Sequence, residues 1–138
     1  IINYFLARKP ETLQQYPQMR ISDWTRRRFA INILGWVLYL FAYEYLFRGV
    51  LLFSLYGVYG FWIAVAVNIS LYSLAHFPKG SSETLGAIPF GLILCLVTLL
   101  TGTILFAVFL HISLALSTEY FAIKYNPEMH FNMKGVSR

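Results

Sequence analysis

The sequence predicts an all-α polytopic membrane bundle of about four spans, and three observations carry that prediction. Of the 138 residues, 58% are hydrophobic and 18% aromatic, and only 12% are charged. An ordinary soluble domain carries about 25% charged residues. Mean hydropathy is +0.59, and the apolar residues fall into four runs, 29–56, 61–77, 84–100 and 104–123. Each approaches or exceeds the roughly 20 residues that cross a hydrocarbon core as a helix. The basic residues lie at the flanks. Arg8, Lys9, Arg20, Arg26, Arg27 and Arg28 precede the first run, and Lys124, Lys134 and Arg138 follow the last. That is the charge pattern of cytoplasmic flanks, so the net charge of +5 is read as a membrane signature and no nucleic-acid partner is expected. The expected partner is the lipid bilayer. The expected location is integral to a membrane, a bacterial inner membrane, with both ends cytoplasmic.

Residues 1–28 read as a basic interfacial segment, with Pro10 and Pro17 preventing a long helix there. Ser22 or Asp23 is expected to cap a helix beginning near Trp24. The triplet Arg26-Arg27-Arg28 then falls where cations meet anionic headgroups. Run 29–56 is long enough for one tilted helix, which would put Glu44 near mid-membrane, and Gly57 and Gly60 supply its break. The second run closes at Pro78 and Gly80. Ser81-Ser82-Glu83 is expected to cap the third, and Pro89 to kink it. An uncharged turn at Thr101-Gly102-Thr103 leads into the fourth run, which carries His111 near its middle. Residues 29–123 form the transmembrane domain and 124–138 a polar tail in which His130 is solvated. Cys95 stands alone in an apolar run, so no disulfide framework or thiolate metal site is expected and it reads as a packing residue. Nothing at the front resembles a signal peptide. Ile1 is not an initiator, so the chain is expected to be a fragment.

The chemistry concentrates where polar groups interrupt these runs. Each charged residue at a helix centre costs roughly 2.5–3.5 kcal/mol to insert, so such residues face a bundle interior and have partners. Glu44 and Arg48 are four apart, hence on one helix face and able to pair. His76 and His111 add two imidazoles. A structural ion pair with two hydrogen-bonded histidines accounts for all four. So does a site in which Glu44, His76 and His111 supply three ligands to a divalent metal such as Zn²⁺ with an open position, or position a water for general-base attack. Asn68, Tyr72 and His76 repeat a four-residue spacing and form a polar stripe. Interhelical hydrogen bonding explains the first two equally well.

Three stretches, Tyr43-Glu44-Tyr45-Leu46-Phe47-Arg48-Gly49, Tyr72-Ser73-Leu74-Ala75-His76 and His111-Ile112-Ser113-Leu114-Ala115, together resemble the motifs of the CPBP intramembrane proteases. This is the type II CAAX prenyl endopeptidase and bacteriocin-processing family, also called Abi. Its pattern is Glu-Glu-x-x-x-Arg, then an aromatic one helical turn before His, then His-x-x-x-Asn. The resemblance spans about residues 30–120 and implies a helical bundle whose site opens toward the cytoplasm and hydrolyses a peptide bond. It implies that the first Glu and the second-motif His hold the attacking water, that the second Glu pairs with Arg, and that the last His and Asn stabilise the oxyanion. Two positions depart. Counted back from Arg48, Glu44 matches the second Glu and Tyr43 occupies the first, and Ala115 stands where the Asn would be. A tyrosine with its ordinary pKa near 10 is a poor base at neutral pH.

The expected function is therefore a CPBP-like intramembrane endopeptidase acting on a membrane-associated or lipidated peptide or protein. Glu44, His76 and His111 are its expected catalytic groups, with Arg48, Tyr43, Tyr72 and Asn68 in support. The alternative, favoured by Tyr43 and Ala115, is a non-catalytic relative that binds a peptide or membrane partner. A transporter or channel subunit with Glu44 and the histidines on a proton path is the third reading.

Overall fold

The computed structural model describes residues 10–132. In chain order these form helix α1 (Pro10–Gln15), strand β1 (Asp23–Thr25), α2 (Arg26–Glu44), a π-helical stretch (Tyr45–Leu52), α3 (Phe53–Ala75), a 3-10 turn (Phe77–Lys79), α4 (Ser81–Thr101), α5 (Leu105–Tyr125) and strand β2 (His130–Asn132). The predicted all-α class holds.

Three continuous helical runs are long and apolar enough to cross a membrane: Arg26–Ala75, Ser81–Thr101 and Leu105–Tyr125. The first has 50 residues, which as one straight rod would measure about 75 Å against a hydrocarbon core of about 30 Å. It is not straight. Gly60 takes φ 75° and ψ −174°, a conformation essentially confined to glycine. Beyond it the chain returns antiparallel to itself: Asn68 Nδ2 donates to the Phe47 carbonyl at 2.6 Å, and the Tyr72 ring lies 5.8 Å from that of Tyr43. The run is thus two legs joined at the glycine break, and four helical legs answer to the four apolar runs of the sequence.

Helix boundaries depart from expectation in two places. Residues 23–25 form β1, so helix α2 starts at Arg26 and Thr25 Oγ1, not Ser22 or Asp23, accepts the Arg28 amide at 3.4 Å. Helix α4 is capped by Gly80, at φ 95° and without a side-chain bond. The Gly80 carbonyl accepts both the amide and the hydroxyl of Thr84, at 3.0 and 2.9 Å. Ser81, Ser82 and Glu83 therefore sit inside the first turn.

The described residues pack as two compact units. In the unit Leu40–His111, Leu52, Ala64, Val65 and Cys95 form one apolar cluster, and Tyr72, Ala87, Leu94 and Ala107 form another. Cys95 is fully buried, the packing role expected of it. Large apolar side chains on the outside, such as Trp62, Leu100 and Phe109, face what a bilayer would cover.

The other unit comprises residues 10–39 with 112–132. Here β1 pairs in parallel with β2, Asp23 opposite His130 and Thr25 opposite Asn132, and the His130 amide donates to the Ser22 carbonyl at 2.7 Å. The residues just after α5 are therefore held by backbone bonds, although the His130 side chain is exposed as expected. Trp24 is wholly buried against Ile123 and Met129. Glu119, also buried, accepts the Gln18 amide at 3.0 Å and Asn32 Nδ2 at 3.1 Å. A buried carboxylate persists only with such donors.

Candidate active site

Glu44 ends α2 at the threshold of the π-helical stretch, and Arg48 lies inside that stretch. In a π turn the bonds run i→i+5, a pattern found mostly as short bulges at functional sites. Within this stretch the Phe47 carbonyl accepts from Asn68 Nδ2 at 2.6 Å. Asn68 Oδ1 in turn accepts from Cys95 Sγ at 3.2 Å. Asn68 thus bonds between helices, the plainer of its two sequence readings.

The expected Glu44–Arg48 pair is present. Arg48 Nη1 lies 3.3 Å from Glu44 Oε1 and 3.2 Å from Oε2, with both side chains at 0% exposure. Nη1 donates to Oε1 and lies within ion-pair distance of Oε2, which like Arg48 Nε and Nη2 makes no hydrogen bond. The guanidinium instead lies over the Tyr72 ring, its carbon 4.1 Å from the ring centroid. A desolvated cation–π contact of this kind is worth about 2 kcal/mol.

His111 joins the pair from α5, its Nδ1 2.5 Å from Glu44 Oε1. His76 caps the C-terminus of α3, just before the 3-10 turn, and its Nδ1 lies 2.8 Å from the Tyr72 carbonyl. A carbonyl only accepts, so His76 carries its hydrogen on Nδ1 and, when neutral, offers the Nε2 lone pair. The Tyr43 ring stands edge-on to both imidazoles, 6.3 Å from His76 and 5.9 Å from His111. Tyr72 lies 4.6 Å from His76 and 6.0 Å from His111. The sequence-derived residues Tyr43, Glu44, Arg48, Asn68, Tyr72, His76 and His111 therefore lie together within one compact unit.

The three proposed metal ligands are not arranged as a ligand set. Among the described residues no three of His, Cys, Asp and Glu are grouped to hold a metal ion. Glu44 Oε1 and His111 Nδ1 are engaged with each other, 2.5 Å apart. The donors present do not fit a three-ligand zinc centre.

Sequence reading missed two flanking residues. Phe90 packs its ring 5.6 Å from His111, and Phe47 stacks on Tyr43 at 4.5 Å. An aromatic in a run so rich in aromatics gives no signal of its own.

A helical membrane bundle that buries a carboxylate, a guanidinium and one imidazole, with a second imidazole half-buried beside them, defines an integral membrane protein with a polar centre built between its helices. A family model described as Type II CAAX prenyl endopeptidase Rce1-like matches residues 25–117, and the chain belongs to that family. The match includes Tyr43, Glu44, Arg48, His76, His111 and Ala115. No curated protein and no solved structure matches the chain.

Proposed function

We propose that this protein is an intramembrane endopeptidase that hydrolyses a peptide bond in a membrane-associated peptide or protein, lipidated ones included. The observation that carries the reading is that both imidazoles are fixed through Nδ1, His76 on the Tyr72 carbonyl and His111 on Glu44, beside the same Tyr43 ring. Each ring then presents Nε2 for chemistry. His76 Nε2 takes a proton from water as the water oxygen bonds to the substrate carbonyl carbon. Charge moves onto the carbonyl oxygen, which accepts from His111 Nε2–H. For that bond the Glu44–His111 pair holds two protons, one shared between Oε1 and Nδ1 and one on Nε2. Collapse breaks the C–N bond, and the leaving amine takes the proton back from His76.

In this scheme Glu44 orients His111 and Arg48 anchors Glu44. A positioned general base contributes about 10²–10⁴ in rate and one oxyanion donor about 10²–10³. Family membership supports the reaction class, and the Lys and Arg of the flanks support cytoplasmic ends.

A second reading, binding without catalysis, is favoured by one observation. Tyr43 places a phenol ring against both histidines where the family pattern has a carboxylate. Cleavage of two peptides in liposomes separates the readings, one prenylated near its C-terminus and one held by an apolar anchor. Wild type is expected to cleave at least one, and His76→Ala to lose about 10²–10⁴ of that rate. Silence from wild type, with activity gained in Tyr43→Glu, would establish the binding role instead.

A further inference from the structure

Gly91 lies in the interior of α4 and is buried, a position where helix propensity alone disfavours glycine relative to alanine. Its neighbour Gly86, in the same helix, has open space where a Cβ would go, with nothing within 4 Å. Gly91 does not. A Cβ there would stand 2.9 Å from Tyr72 Cδ1, 3.4 Å from Cε1 and 3.6 Å from Arg48 Nη2. Carbon atoms in favourable contact sit about 3.5–4.0 Å apart, so the ring would have to retreat by roughly 0.6–1 Å.

It has nowhere to retreat. Tyr72 is 1% exposed. Arg48 lies on its face at 4.1 Å. The rings of Tyr43 and Phe47 stand 5.8 Å away, and those of His76 and His111 stand 4.6 and 6.0 Å away. Any shift of the ring is passed to the cation that anchors Glu44 and to both imidazoles.

We propose that Gly91 is a positioning residue of the site: having no side chain, it lets the Tyr72 ring lie against α4, and that ring sets the places of Arg48, His76 and His111. The consequence for cleavage rests on the endopeptidase reading, whereas the consequence for the imidazoles does not.

The test uses the whole chain in nanodiscs and four variants: Gly91→Ala, Gly86→Ala, Tyr72→Leu and the Tyr72→Leu/Gly91→Ala pair. Two readouts are taken. One is the ¹⁵N–¹H spectrum of the histidine rings, which the chain's 3 histidines keep simple. The other is the cleavage rate of the two peptides above. Gly91→Ala is expected to move the His76 and His111 signals and lower kcat by about 10- to 100-fold with a smaller change in KM, since misplacement of about 1 Å can cost 10²-fold. Gly86→Ala is expected to change neither readout. With Tyr72 already reduced to leucine, adding Gly91→Ala is expected to change little further, because the clashing ring is gone.

Histidine signals unmoved by Gly91→Ala, or moved equally with and without the Tyr72 ring, would overturn the proposal. Should Gly91→Ala fail to fold, recovery of folding in the pair supports it and continued failure overturns it. A wild type that cleaves neither peptide, with histidine signals that still move, removes the endopeptidase reading and leaves the positioning role in place.

Discussion

Replacing Arg48 with methionine should be among the most destabilising single changes available in this chain. The side chains of Arg48 and Glu44 are both at 0% exposure with N–O distances of 3.2 and 3.3 Å. At that separation and an effective dielectric near 20 their attraction is about 5 kcal/mol. Opposing it is the desolvation of two ions, several kcal/mol each, so the intact pair comes out close to neutral against an apolar pair of the same size. Half the pair does not. Arg48→Met keeps the volume but leaves the Glu44 carboxylate buried with His111 as its one remaining hydrogen-bond partner among the described residues. The expected loss is about 3–5 kcal/mol. Glu44→Gln/Arg48→Met removes both charges while Gln keeps an acceptor for His111. That double variant should return to within about 2 kcal/mol of wild type. Equilibrium unfolding in mixed micelles, followed by fluorescence of the 3 tryptophans, measures both. A single variant within about 1 kcal/mol of wild type, or a double as unstable as the single, would mean that the pair is not what holds Glu44 and that His111 alone satisfies it.

Gly60→Ala forces a side chain into φ 75°, ψ −174° and is expected to cost about 1–3 kcal/mol in the same unfolding assay. Gly57→Ala, which meets nothing within 4 Å, serves as its control. Glu119→Leu strands the buried Asn32 Nδ2, now bonded to the carboxylate, at about 1–3 kcal/mol, and releases the part-buried Gln18 amide. Hydrogen exchange at the Gln18 amide should quicken in that variant, and Glu119→Gln, which keeps an acceptor, should show a smaller effect.

The sequence exposed the site because charge in an apolar run is expensive. Glu44 and Arg48 had to be partnered, and four-residue spacing named the partner. Glycine and proline marked the breaks at Gly60, Gly80 and Gly102 for equally local reasons. The π turn was not legible, since whether a backbone amide bonds four or five residues back in its own helix leaves no mark in the side-chain pattern. The β1–β2 pairing was invisible too: a three-residue backbone ladder imposes no side-chain period. Glu119 is different. It interrupts the apolar run 104–123 as Glu44 interrupts the first, and the same insertion cost would have marked it for a partner. Gly91 needed the structure, because a glycine required by close approach looks in sequence like one that is merely tolerated.

The strand pairing bears on the order in which the molecule is assembled. Strand β1 and strand β2 lie over a hundred residues apart in the chain, with every helical leg between them. The entropy of closing so long a loop rises only with the logarithm of its length, so length itself is a modest obstacle. Timing is the larger one. Synthesis runs from the N-terminus, so residues 23–25 emerge long before 130–132, and Trp24 waits without Met129 to cover it. The clasp can shut only after all four legs have been made. A chain halted before residue 123 would leave uncovered a large indole that the finished molecule hides completely.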